Sequence, residues 1–201
     1  MKYPVFLLLK SFIRPICTAS MSLWIVLTTY TLYAADIKII NDGKEALNAR
    51  IHLIDNAQHT IEMSYFIFEN DRVGQLILAR LLEAAEHRGV KVRILVDKIF
   101  NDINPAYTTF LQTHNIEIRE FNQSYLKLTR RLHDKMFLVD GTTAILGGRN
   151  IENTYYGQSK PSEKKNYDDR DIYVQSEEVV KNFRNYYYKL WNAEHVTKAS
   201  T

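Results

Sequence analysis

The stretch His133-Asp134-Lys135-Met136-Phe137-Leu138-Val139-Asp140-Gly141-Thr142-Thr143-Ala144-Ile145-Leu146-Gly147-Gly148-Arg149-Asn150 carries a fold signal and a chemical one together. Asp140-Gly141 is a hairpin turn signal between two apolar runs. If those two residues form the turn, Val139 pairs with Thr142, His133 lies opposite Gly148, and Asn150 arrives beside His133. His133 and Lys135 are two apart, so on a strand they project from one face and meet one ligand. Gly147-Gly148 leaves no side chain to block an approaching phosphate, and glycine in a strand often marks such an approach. A nucleophile or base, a fixed cation and an amide donor around one small space are what a phosphoryl group needs.

Upstream of this segment strands and helices alternate. Ile37–Ile40 reads as a short strand, and Asn41-Asp42-Gly43 caps a helix from about Lys44 to Ala57, with Leu47, Ile51 and Ile54 at helical spacing. Thr60–Phe68 is a β-branched and aromatic run fit for a buried strand. Asn70-Asp71 starts a second helix, about Arg72 to Arg88, with Leu76, Ala79, Leu82 and Ala85 on one face and Gly89 as its stop. Val90–Asp97 is a strand, followed by a loop at Asn101–Pro105, a short helix near Tyr107–Thr113 and a strand at Ile116–Phe121. Downstream, Asp171-Ile172 leads into a final strand, and a helix follows over Val179–Trp191 with Phe183, Tyr187 and Leu190 on one stripe. The order predicts an α/β fold, a mostly parallel mixed sheet flanked by helices.

The 201 residues suit one domain and a small piece, and 46% hydrophobic with 24% charged residues excludes a disordered or polytopic membrane chain. The net charge of +3 is confined to residues 1–35, where Lys2, Lys10 and Arg14 stand without an acid. The body is formally neutral. Pro15–Ala35 has no formal charge and ends in Tyr33-Ala34-Ala35, in the order of a signal peptide, with an N-terminal membrane anchor as the competing reading. Either one sends residues 36–201 across the inner membrane, to a periplasmic or secreted location. The single cysteine, Cys17, belongs to that leader, so the body has no disulfide framework and no Cys-rich zinc site.

The central segment resembles the His-x-Lys-x4-Asp-x6-Gly-(Ser/Gly)-x-Asn signature of the phospholipase D superfamily, with Gly148 in place of the commoner Ser, as in the cardiolipin-synthase-like branch. Arg131-Leu132 before it, Ile151 after it, Asp168-Asp169-Arg170-Asp171-Ile172, Ser64–Phe68 and Leu81–Asp97 extend the similarity over nearly all of residues 36–194. The resemblance implies a phospholipase D-like sandwich and a two-step displacement at a phosphodiester. His133 would form a phosphohistidine while a second histidine protonates the departing alcohol. It gives Lys135 and Asn150 to the phosphate oxygens, Asp140 to support of the site, and Asp169 to orienting the imidazole, with Asp168 and Asp171 left open. Gly147, Gly148 and Arg131 would border the substrate, and no metal or other cofactor is required.

The chain holds one such motif where the lipid-handling branch usually carries two; His52, His59, His87, His114 and His195 have no Lys two residues on. A single motif works if two copies face each other across a two-fold axis, or if a partner carries the second motif. Lys127, Arg130 and Arg131 could contact a nucleic-acid backbone or form a solvated basic loop, and the neutral body counts against nucleic acid. Tyr155-Tyr156 and Tyr186-Tyr187-Tyr188 suit a membrane interface or core packing, and Gln158–Tyr167, with Lys160, Lys164 and Lys165, could cover the site or touch acidic headgroups. The expected substrate is a glycerophospholipid at a membrane surface, handled by a homodimer. A metal-independent endonuclease and an inactive half of a split two-motif enzyme are the alternatives.

Overall fold

The computed structural model describes residues 35–121, 131–159, 162 and 165–199. Residues 1–34, with Cys17, lie outside the described residues, as do Lys127, Arg130, Lys160 and Lys164. Among the described residues no helix is long and apolar enough to cross a membrane.

The elements run β1 (Asp36–Ile40), α1 (Gly43–Asn56), β2 (Thr60–Tyr65), α2 (Arg72–Arg88), β3 (Lys91–Asp97), α3 (Pro105–Gln112), β4 (Ile116–Phe121), β5 (Lys135–Val139), β6 (Thr143–Gly147), a 3-10 turn at Asn153–Tyr156, β7 (Asp171–Gln175), α4 (Glu177–Trp191) and β8 (Val196–Lys198). Local chemistry sets their ends. Asp42 caps α1 through Glu45 N, Asp71 caps α2 through Val73 N and Gly74 N, and Gly89 closes α2 in the left-handed conformation at φ 69°. Asn104 caps α3, with Pro105 at its first position, and Ser176 caps α4.

The eight strands make one sheet in the order β1-β7-β6-β5-β2-β3-β4-β8. The α/β class holds, but the expectation of a mostly parallel sheet does not. Only β2–β3 and β3–β4 are parallel, and β1–β7, β7–β6, β6–β5, β5–β2 and β4–β8 are antiparallel. The β-α-β rule applied to the two crossovers through α2 and α3. At β1 the direction holds, since four antiparallel steps leave β1 parallel to β2, but adjacency does not: the chain passes through α1 to the sheet centre while β1 itself pairs with β7 at the edge.

Side-chain alternation gives the sheet two apolar faces. Ile61, Met63, Val92, Ile94, Phe137 and Ile145 pack under α1, α2 and α3, while Leu95, Met136, Leu138, Ala144 and Val174 pack under Val180, Tyr187 and Trp191 of α4. Tyr187 is thus core, as its helical spacing predicts. The buried face of α2 is Val73, Gly74, Ile77, Leu78, Leu81, Ala84 and Ala85, about a third of a turn from the expected one, so that Ala85 is buried as expected while Leu76 is exposed.

The hairpin register is shifted by one residue from the expected one: Val139 pairs with Thr143 and Met136 with Leu146. The turn uses three residues, because Asp140 (φ 52°) and Gly141 (φ 68°) are both left-handed and Thr142 N bonds back to Val139 O. Continuing that register sets Lys135 opposite Gly147 and Asp134, not His133, opposite Gly148.

Candidate active site

The cleft lies where β2 ends, β5 begins and β6 gives way to the segment before β7. It has a volume of about 420 Å³ and is lined by Phe66, Ile67, His133, Lys135, Gly147, Gly148, Asn150, Tyr155 and Asp169. His133 and Lys135 reach it from one face, as their spacing predicts, and Phe66 N bonds to Asp134 O at 3.1 Å, which extends the β2–β5 ladder to the site. Asp134, between them, is held on the α4 side by Tyr186 Oη at 3.2 Å and Ser64 Oγ at 3.4 Å. Burial raises the Asp134 pKa, against the pull of those two donors and of Lys135.

Lys135 Nζ is 3.0 Å from His133 Nδ1 and 3.0 Å from His133 O. An ammonium has no lone pair, so Nδ1 accepts and the proton of the neutral ring sits on Nε2. The imidazole stacks on Phe66, with centroids 4.6 Å apart and planes at 27°. Burial lowers the Lys135 pKa from the ordinary lysine range, with Asp134 and Asp169 opposing the shift.

Asn150 is buried and largely committed to the fold: its Oδ1 accepts from Ile67 N at 3.0 Å and its Nδ2 donates to Tyr155 Oη at 3.1 Å. One amide hydrogen is left for a ligand. The two glycines answer to the protein as much as to a substrate. A β-carbon at Gly147 would run into Arg170 O and the Asp171 carboxylate, and one at Gly148 into the Asp169 carboxylate.

Of the other expected site residues, Asp169 reaches the cleft and Asp140, Arg131 and Asp171 do not. Asp140 lies at the far end of β5, five residues from Lys135 and so about 17 Å along the strand. Its carboxylate accepts from Gln58 N, His59 N and Thr60 N at 2.8–2.9 Å, which fastens the hairpin to the start of β2. Arg131 does not line the cleft; it pairs with buried Asp97 and lies over the Phe100 ring at 5.3 Å. Asp169 lines the cleft but accepts from Arg170 N at 2.7 Å rather than from His133. Asp171 is wholly buried on Arg50 at 2.8 Å, with Arg149 at 3.5 Å. None of His52, His59, His87, His114 and His195 lines the cleft.

Phe66, Ile67 and Tyr155 belong to the lining without having been singled out as site residues. The aromatic run that ends β2 looks like any buried strand, and only the arrival of His133 beside it gives Phe66 a role. Among the described residues no group of three or more His, Cys, Asp or Glu side chains could hold a metal ion.

A family model described as cardiolipin synthase, PLD-like domain, matches residues 50–191. Cardiolipin synthase C of Escherichia coli (strain K12) is 34% identical over 158 residues, which cover 72% of this chain and 33% of the relative. The chain spans about a third of the length of the curated relatives it matches. In the fold comparison, the phospholipase D family member Nuc from Salmonella typhimurium superposes with a TM-score of 0.63 at 18% identity, covering 84% of this chain and 100% of its own. NucT from Helicobacter pylori gives 0.66 at 17% identity, with 83% and 100% covered. The sandwich fold is therefore shared with both.

Proposed function

The chain belongs to the cardiolipin synthase, PLD-like domain family, and from that premise we propose that it turns over glycerophospholipid phosphodiesters through a phosphohistidine on His133. The observation that carries the reading is the convergence of His133, Lys135, Asn150 and the Gly147-Gly148 backbone on one cleft. An incoming phosphate oxygen competes for the Lys135 ammonium and draws it off the imidazole, which leaves a ring lone pair free. That nitrogen forms a bond to phosphorus as the bond to the leaving alcohol breaks, and the alcohol takes a proton from a second histidine. Water or an acceptor alcohol then gives its proton to that histidine and attacks phosphorus, breaking the P–N bond. Water gives hydrolysis and an alcohol gives phosphatidyl transfer.

The second histidine comes from another copy of this chain across a two-fold axis. The basic start and the uncharged run Pro15–Ala35 support a reaction outside the inner membrane, where phospholipid is at hand. Full-length protein incubated with phosphatidylglycerol vesicles and chelator is expected to release phosphatidic acid, or phosphatidylethanol when ethanol is added as acceptor. Cleavage of DNA with no lipid product would overturn the lipid reading in favour of a nuclease. Inactivity on both would overturn self-sufficiency and leave a half that needs a complementary chain.

Lys135 gives this reading a pH signature. The group must be charged to hold the phosphate, and its pKa is lowered by burial, so turnover is expected to fall, with rising pH, below the ordinary lysine range. In Lys135→Arg, whose cation does not titrate there, residual turnover should lack that alkaline limb. A limb unchanged in Lys135→Arg would assign it to another group.

A further inference from the structure

His133 is exposed at the cleft, yet a continuous set of contacts runs from its ring to a buried carboxylate. Phe66 stacks on the imidazole, and Phe100 packs on Phe66 with centroids 4.6 Å apart and planes at 48°. Arg131 covers the outer side of Phe100 at 5.3 Å and pairs with Asp97. Asp97, 0% exposed at the end of β3, also accepts from Ile99 N at 2.9 Å and from Leu132 N at 3.2 Å. One carboxylate therefore fixes both sides of the stack: the β3 exit loop that carries Phe100, and the backbone residue that precedes His133.

We propose that Asp97, through Leu132 and the Arg131–Phe100–Phe66 stack, is a positioning residue that sets the orientation of the His133 ring. The inference rests on the reading of His133 as the reacting imidazole. Among the described residues no acid in the cleft bonds that ring; its Nδ1 meets Lys135, which must leave for the phosphate. The orientation at that moment falls to the ring stack and the backbone. Burial suits Asp97 to the task, since a carboxylate with three donors and no access to water has little freedom to move. Neither Asp97 nor Phe100 lines the cleft, so each can be changed without removing a substrate contact.

The test uses the full chain, a chromogenic phosphodiester and ring-labelled histidine. Asp97→Asn keeps the shape and loses the charge. Phe100→Leu removes one ring of the stack at a half-exposed position, so it also serves if Asp97→Asn folds poorly. Both are expected to lower kcat about 10- to 100-fold with KM little changed, as for a reacting group displaced by a fraction of an ångström. Both should also shift the His133 ring resonances in the free protein, and Phe100→Tyr should restore rate and resonance together. Wild-type kcat with unmoved His133 resonances in both variants would overturn the proposal. Loss of rate through KM alone, with those resonances unmoved, would overturn it too. Full activity in His133→Ala would instead sink the catalytic reading, while the resonance shifts would still report the bracket.

Discussion

Replacing His133 with alanine is expected to abolish phosphodiester turnover, with kcat lower by about 10⁴-fold or more, and to leave the fold as stable as before. Loss of a nucleophile that acts as one unit with its partners removes nearly all of the chemical acceleration. No neighbour can take over. Lys135 is held as an ammonium by the same role that makes it useful, and the Tyr155 phenol has its pKa raised by burial, so its phenolate is scarce. Asp169 would give an acyl phosphate from a carboxylate already bonded to Arg170 N. Stability is separable because His133 is exposed, and exposed substitutions usually stay within about 0.5 kcal/mol. The check pairs single-turnover kinetics with mass measurement after an alkaline denaturant quench, where wild-type protein should carry a base-stable, acid-labile phosphoryl adduct and His133→Ala none. An adduct of equal yield in the variant would move the nucleophile to another residue.

The site was legible from the sequence to the extent that its parts are local. His133 and Lys135 lie two apart on one strand, so their common face follows from the pleat alone. Gly147, Gly148 and Asn150 come back to them through one hairpin, and a register error of a single residue did not move them out of the cleft. Asp140 shows the limit. Its place in the motif suggested support of the site, but a strand carries it away from the chemistry, and its three backbone partners at residues 58–60 are some 80 positions upstream. Arg131 fails for a similar reason: a cation next to the motif invites a phosphate, while the acid that claims it, Asp97, arrives from β3. The sheet obeys the same division. Pairings across consecutive β-α-β units or tight hairpins follow from the chain, whereas β1 beside β7 is a long-range pairing that no local pattern announces.

Asp171→Ala is expected to cost about 3–5 kcal/mol, as removal of one partner from a buried ion pair does, and so to take much of a typical domain's net stability of about 5–15 kcal/mol. Three acids lie together at 168, 169 and 171, and nothing in their order says which is exposed. The structure buries Asp171 completely between Arg50 and Arg149, themselves 0% and 1% exposed. One carboxylate therefore faces two guanidinium groups, and its loss leaves two cations out of reach of water. Carbonyls hold Arg149, from Ile40, Asn41, Tyr155 and Asp169, whereas among the described residues Arg50 has one carbonyl, Ala46 O, with the Tyr65 hydroxyl and the face of the Tyr156 ring, besides Asp171. The damage should thus fall chiefly on Arg50. Adding Arg50→Met to Asp171→Ala removes that stranded charge and is expected to recover part of the loss in urea unfolding, whereas Lys38→Met, at an exposed pair, should recover nothing. An Asp171→Ala midpoint equal to wild type would show that the pair does not hold the domain. The same contacts reach the chemistry, because the Asp171 carboxylate packs on Gly147 and Arg149 ties the end of β1 to Asp169 O. Asp171→Asn, which keeps the shape, is therefore expected to weaken turnover as well as stability, by loosening the cleft wall that Gly147, Gly148 and Asp169 form.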